Sequence, residues 1–244
     1  MDAPRLRSIN KIAPPYPLGR FPAGFVASIA GEVVFHLATD AKPSIEGEEW
    51  ERIFAAAIGA KWKPSNVGLD DVVKANCTWG AKTVKNPNPH TMTKVRLISG
   101  RNSPNYSFNR ADLSSAAQGL GDSVLAIWNA RVDDIRARFP HMRTVVLVKG
   151  DGLTEFAVFE FETVRYPKDK YVWERNVRDN LEARDIDTGE HVFTWQPHGS
   201  QFTIIERVPE GRVLFGVQKP KRIAHDTVLQ SVGFDESWVR VIDS

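Results

Sequence analysis

The sequence predicts an α/β protein in which a central mixed β-sheet is flanked by helices, with a loop- and strand-rich C-terminal elaboration. Three stretches carry this. Glu46–Ala60 places Trp50, Ile53, Phe54, Ala57 and Ile58 on one helical stripe. Arg143–Lys149 is a continuous apolar run of the kind that fills a central strand. Leu153–Val164 alternates apolar and polar after the turn at Gly150–Gly152, so it pairs back as a hairpin.

The elements follow in chain order. Residues 1–24, dense in proline and arginine, predict an extended arm: either a basic arm toward a nucleic-acid backbone or partner, or a strap over the core. Phe25–Ala38 reads as a hairpin or a short helix. Ser44 is the expected N-cap of the next helix, and Pro64 its stop. Lys94–Ile98 is strand-like. Arg110–Phe139 is mostly helical, with Val124, Ile127, Trp128, Arg131, Val132, Ile135 and Phe139 at helical spacing and a break expected at Gly119 and Gly121. Trp173–Ala183 reads as a second charged helix; Ile204–Val208 and Arg212–Val217 read as strands. The boundaries implied are an arm over 1–43, a core over 44–164 and an elaboration of the same domain over 165–244.

Composition narrows the class. The chain has 244 residues, a net charge of +2 and one cysteine, Cys77. One cysteine excludes a disulfide framework and a multi-cysteine zinc site, and fits a reducing cytoplasm. No apolar run reaches the length of about 18 residues that a membrane span needs, and the N-terminus lacks a signal-peptide core. The expectation is a cytoplasmic protein with no membrane partner. The six histidines show no HxxxH or HxH spacing, and no nucleophile elbow, P-loop or dinucleotide fingerprint is present.

The chemistry concentrates in Val67–Lys85. Asp70 and Asp71 open it, a strand-like segment follows, and Lys82 comes twelve residues after Asp70. Carboxylates hold a hard cation such as Mg²⁺, and a lysine steadies charge developing on a phosphoryl group. This pattern resembles the PD-(D/E)XK signature of type II restriction endonucleases, and the order helix, strand, strand, helix, strand, strand matches that core. The resemblance covers about residues 44–164. It departs at Gly80, where the signature has an acid; Glu51, Glu48 or Asp112 from neighbouring helices are the replacements considered, Glu51 first.

The resemblance implies Mg²⁺-dependent, site-specific hydrolysis of double-stranded DNA by a homodimer, with Asp70, Asp71, Lys82 and Glu51 catalytic and the three carboxylates on the metal. Two polar runs are the expected readout material: Arg101, Asn102, Ser103, Asn105 and Tyr106 in the first, Gln196, His198, Ser200 and Gln201 in the second. Such residue types hydrogen-bond base edges and phosphates. Lys168, Lys170, Arg175, Arg178 and Arg184 form either a phosphate track or a solvated face. A rival acidic set is Asp151, Glu160 and Glu162. The other readings are a non-catalytic nucleic-acid-binding module, and a metal-independent nuclease or glycosylase.

Overall fold

A computed structural model describes residues 12–63, 69–108 and 116–242. Pro64 and Asp112, each given a role above, lie outside the described residues, as does the first part of the arm. The described chain is mixed α/β, with two sheets and five α-helices: α1 (Phe25–Thr39), α2 (Gly47–Ile58), α3 (Pro104–Phe108), α4 (Ala117–Arg136) and α5 (His225–Ser231). The strands are β1 (Lys61–Trp62), β2 (Val72–Lys74), β3 (Cys77–Lys85), β4 (Lys94–Arg101), β5 (His141–Lys149), β6 (Glu155–Glu162), β7 (Tyr171–Arg175), β8 (Leu181–Asp185), β9 (His191–Gln196), β10 (Gln201–Arg207) and β11 (Val213–Gly216).

The first sheet is mixed, in the order β1-β2-β3-β5-β6-β11. Strands β3 and β5 run parallel over their full lengths, from Cys77 beside His141 to Lys85 beside Lys149. Every other pair in the sheet is antiparallel. The second sheet is antiparallel throughout, in the order β4-β10-β9-β8-β7.

The continuous apolar run in β5 has a simple cause: both of its faces are covered. Val145 and Leu147 enter one core with α1, α2 and Trp79, whereas Val146 and Val148 enter another with Val95 and Leu97 of β4. A third core packs α4 on the second sheet, through Val124, Trp128 and Val132 against Trp173, Phe193 and Phe202.

These cores cross the boundaries set at 44 and 164. Helix α1 shares a core with α2, β4 joins the C-terminal strands, and β11 returns to the first sheet. The undecided Phe25–Ala38 segment is helical, with Phe25, Ile29, Val33 and Leu37 buried at every fourth position. Ser44 does not cap α2. The cap position is Glu46, whose carboxylate instead accepts from Lys149 and, at 2.9 Å, from Thr83, tying the helix start to β5 and β3.

Two expectations are corrected. Trp173–Ala183 is a hairpin, not a helix: Tyr171, Trp173, Leu181 and Ala183 are buried at a period of two, and the side chain of Asn176 accepts from Arg178 and Asn180 in the turn. Helix α4 also runs unbroken through Gly119 and Gly121. Gly121 is needed for close approach, since a Cβ there would lie 2.2 Å from the Trp173 ring. We therefore expect Gly121→Ala to destabilise the protein by roughly 1–3 kcal/mol through overpacking, read as a lower midpoint in urea; an unchanged midpoint contradicts this packing.

Candidate active site

Strand β3 positions the site. Val72 lies opposite Trp79, so continuing the register sets Asp71 opposite Gly80, on the face from which Lys82 also projects. Cys77, Trp79 and Ala81 of the same strand go to the opposite face, into the α1–α2 core. Asp71 is 0 % exposed. Its Oδ2 accepts from the Ala81 amide at 3.1 Å, and its Oδ1 has no hydrogen-bond partner among the described residues.

Burial pushes the Asp71 carboxyl up to about 7; Lys82 opposes the rise, and Glu51 adds to it. The same neighbours act on Lys82. Its partly buried ammonium is lowered by desolvation and held up by Asp71 and Glu51. Asp71, Lys82 and Glu51 are thus within electrostatic reach of one another. Glu51 is oriented by Trp62, whose Nε1 donates to its Oε2 at 2.9 Å. Lys82 also borders a small void between the sheets, with Thr144 and Thr163.

Asp70 faces the other way. Its Oδ2 lies 3.1 Å from Lys63 and 3.3 Å from Arg138, and it lines a surface cleft of about 530 Å³ beside α3 and α4. The adjacent aspartates therefore divide: Asp71 belongs to the buried trio and Asp70 to the cleft.

A second cleft, of about 580 Å³, joins the two polar runs that lie far apart in sequence. Arg101 at the end of β4 meets His198 and Gln201 at the β9–β10 turn. Arg101 and Arg131 line both clefts, so the two adjoin. Ser103 accepts from the Tyr106 amide at 3.3 Å, and Asn105 and Tyr106 are exposed on α3. Gln196 and Ser200 flank the β9–β10 turn, where the Ser200 carbonyl accepts from the Asn102 amide.

Asn102 is corrected as a readout residue. It is 0 % exposed, its Nδ2 donates to the Val124 carbonyl and its Oδ1 accepts from Arg131 at 2.6 Å. No base edge can reach it. Arg131 and Arg138 were not singled out from the sequence. Arg131 carried a signal, a cation inside an apolar helical stripe, whereas Arg138 carried none. Lys168, Lys170, Arg175, Arg178 and Arg184 line neither of these clefts, and Arg175 pairs with Asp179 at 2.8 Å.

The rival acids separate. Asp151 is exposed and pairs with Lys85 at 3.2 Å. Glu160 is buried at the centre of a polar cluster, accepting from Arg143 at 3.0 Å, from Trp79 Nε1 at 2.9 Å and from the Gly19 amide at 2.9 Å. Arg143 also donates to the Tyr16 carbonyl, so this ion pair straps the N-terminal segment to the sheet. Among the described residues, the group that closes to metal-ligand spacing is His36, Asp40 and Glu49, between α1 and α2. There both ring nitrogens of His36 already face carboxylates, at 2.8 and 2.9 Å.

Two stability measurements test these assignments. Folded Asp71 titrates near 7 and an unfolded aspartate near 4. The folded state therefore holds more protons across that window and loses stability as pH rises through it. Asp71→Asn keeps the acceptor for Ala81 and removes the buried charge. It should raise stability at pH 8 by roughly 2–4 kcal/mol, with little effect near pH 4; an equal effect at both pH values refutes the buried-acid assignment. Glu160→Gln should act oppositely, leaving Arg143 buried without its counter-charge and costing roughly 3–5 kcal/mol by thermal melting.

No family model matches this chain, and neither curated proteins nor solved structures include a significant match to it.

Proposed function

We propose that the protein is a Mg²⁺-dependent endonuclease that hydrolyses phosphodiester bonds in double-stranded DNA at specific sequences, acting as a homodimer on a two-fold site. The observation that carries this reading is the unpartnered Oδ1 of Asp71, in a buried carboxylate flanked by Lys82 and Glu51. Burying a carboxylate with an unused oxygen is costly, and a cation at that oxygen removes the penalty. The residues fit such an ion: Mg²⁺ keeps several waters and takes one or two carboxylates. Asp71 and Glu51 would hold it, which supplies by a helix side chain the acid missing at Gly80.

When bound there, Mg²⁺ polarises water and neutralises charge on a phosphoryl oxygen. Lys82, on the same face of β3 as Gly80, positions the attacking water and steadies charge that develops on the phosphate. Its lowered affinity for protons favours exchange of one with that water. Trp62 fixes the Glu51 carboxylate, and the Ala81 amide fixes Asp71. Arg138 and Arg101 offer cations to the backbone along the cleft that begins at Asp70, while His198 and Gln201 supply groups for base edges. The parallel pairing of β3 with β5, with α4 between them in the chain, supports this reading, whereas β4, the second strand of the expected order, pairs in the other sheet.

The test is incubation of the purified protein with unmethylated phage DNA in Mg²⁺ and in EDTA. Discrete fragments in Mg²⁺ alone are expected. Asp71→Asn and Lys82→Ala should each lower cleavage by about 100-fold or more while gel-shift binding persists. Cleavage that survives EDTA would overturn the metal assignment. Intact DNA with retained binding would make the protein a non-catalytic nucleic-acid-binding module.

A further inference from the structure

We infer that the cleft beside Asp70 accepts a single nucleobase swung out of the nucleic acid and stacked on Tyr106. This deepens the nuclease reading and rests on it for the kind of ligand.

Tyr106 stands 92 % exposed on the five-residue helix α3, and Phe108 is 46 % exposed on the same helix. Both line the cleft and form an exposed aromatic patch there. Ala126, Ile127 and Ala130 of α4 add an apolar part to the lining. Arg101, Arg131 and Arg138 also line it; Arg138 is paired with Asp70 and Asp134, and Arg131 donates to Asn102 and to the Arg101 carbonyl. Ser103 and Ser107 contribute hydroxyls.

Each kind of lining group selects for part of a nucleotide. Apolar and aromatic side chains take a flat, weakly hydrated ring, and the Arg101 guanidinium takes a flanking phosphate. Serine hydroxyls suit the hydrogen-bonding edge of a base, being both donor and acceptor. The cleft of about 530 Å³ lies within the usual range for small-ligand sites. A base inside a duplex has both faces covered by its neighbours, so only one that has left the stack can lie on Tyr106. Asp70 lines the same cleft.

The probe is a duplex of about 20 base pairs, roughly two helical turns, carrying one bulged 2-aminopurine, compared with the same duplex fully paired. Binding to the full chain is followed by anisotropy in EDTA, so cleavage plays no part. The bulge removes most of the cost of unstacking, and the bulged duplex should bind about tenfold more tightly, with its fluorescence quenched on binding. Tyr106→Ala should abolish both the preference and the quench, and Tyr106→Phe should keep both. An unchanged urea midpoint for Tyr106→Ala checks that the variant is folded. Equal binding of both duplexes without quenching overturns the base site and leaves the nuclease reading standing. Quenching of a second 2-aminopurine placed beside the first marks a wedge between bases and overturns the pocket. Failure to bind either duplex overturns both readings.

Discussion

The parallel ladder between β3 and β5 is the constraint on which the other parts of the molecule depend. It runs the full length of both strands and lies at the centre of the first sheet. Parallel neighbours cannot be joined by a tight turn, so the chain must leave the sheet and return. The excursion contains β4, α3 and α4. Strand β4 seeds the second sheet, α4 packs on it, and α3 lines the cleft beside α4. One pairing therefore produces the sheet that holds Lys82 and the groove in front of Asp70.

Strand β3 borders two buried carboxylates, both pushed up by desolvation, that differ in their hydrogen bonding. On one face Trp79 donates to Glu160, which is also paired with Arg143; both carboxylate oxygens accept hydrogen bonds, and the cluster fastens the N-terminal segment. On the other face Asp71 keeps one oxygen without a hydrogen bond and titrates near 7. Burial alone does not separate these acids, because Glu160 and Asp71 are both withdrawn from water. The difference lies in satisfaction. A saturated carboxylate serves the fold, and an unsaturated one has chemistry left to offer.

Legibility in the sequence followed the range of the interaction. Helix α2 and strands β3, β5 and β6 were readable because a helical stripe, a continuous apolar run or an alternating sequence is complete within a few residues. The hairpin of β7 and β8 was not. Its charged residues lie on the exposed side of an edge pair, and their spacing mimics a solvated helix. Gly121 was misread for a related reason: a glycine in a helix signals weakness locally, and only the approach of Trp173 from fifty residues away explains it. Asn102 looked like a base reader by type. Its four-way role, accepting from Arg131 and Trp195 and donating to Val124 and Ser200, depends on three distant segments.

By itself the sequence determined the mixed α/β class, the nearness of Asp71 to Lys82 and the polar character of two separate runs, because each rests on local periodicity or short spacing. Only the tertiary structure decided which buried aspartate keeps an oxygen without a hydrogen bond, which helix acid acts on it, and that Arg101 meets His198 and Gln201. It also assigned Glu160 to the core and Arg131 to the clefts. Register between strands and packing between layers set those outcomes, and neither is written in the spacing of residues along one chain.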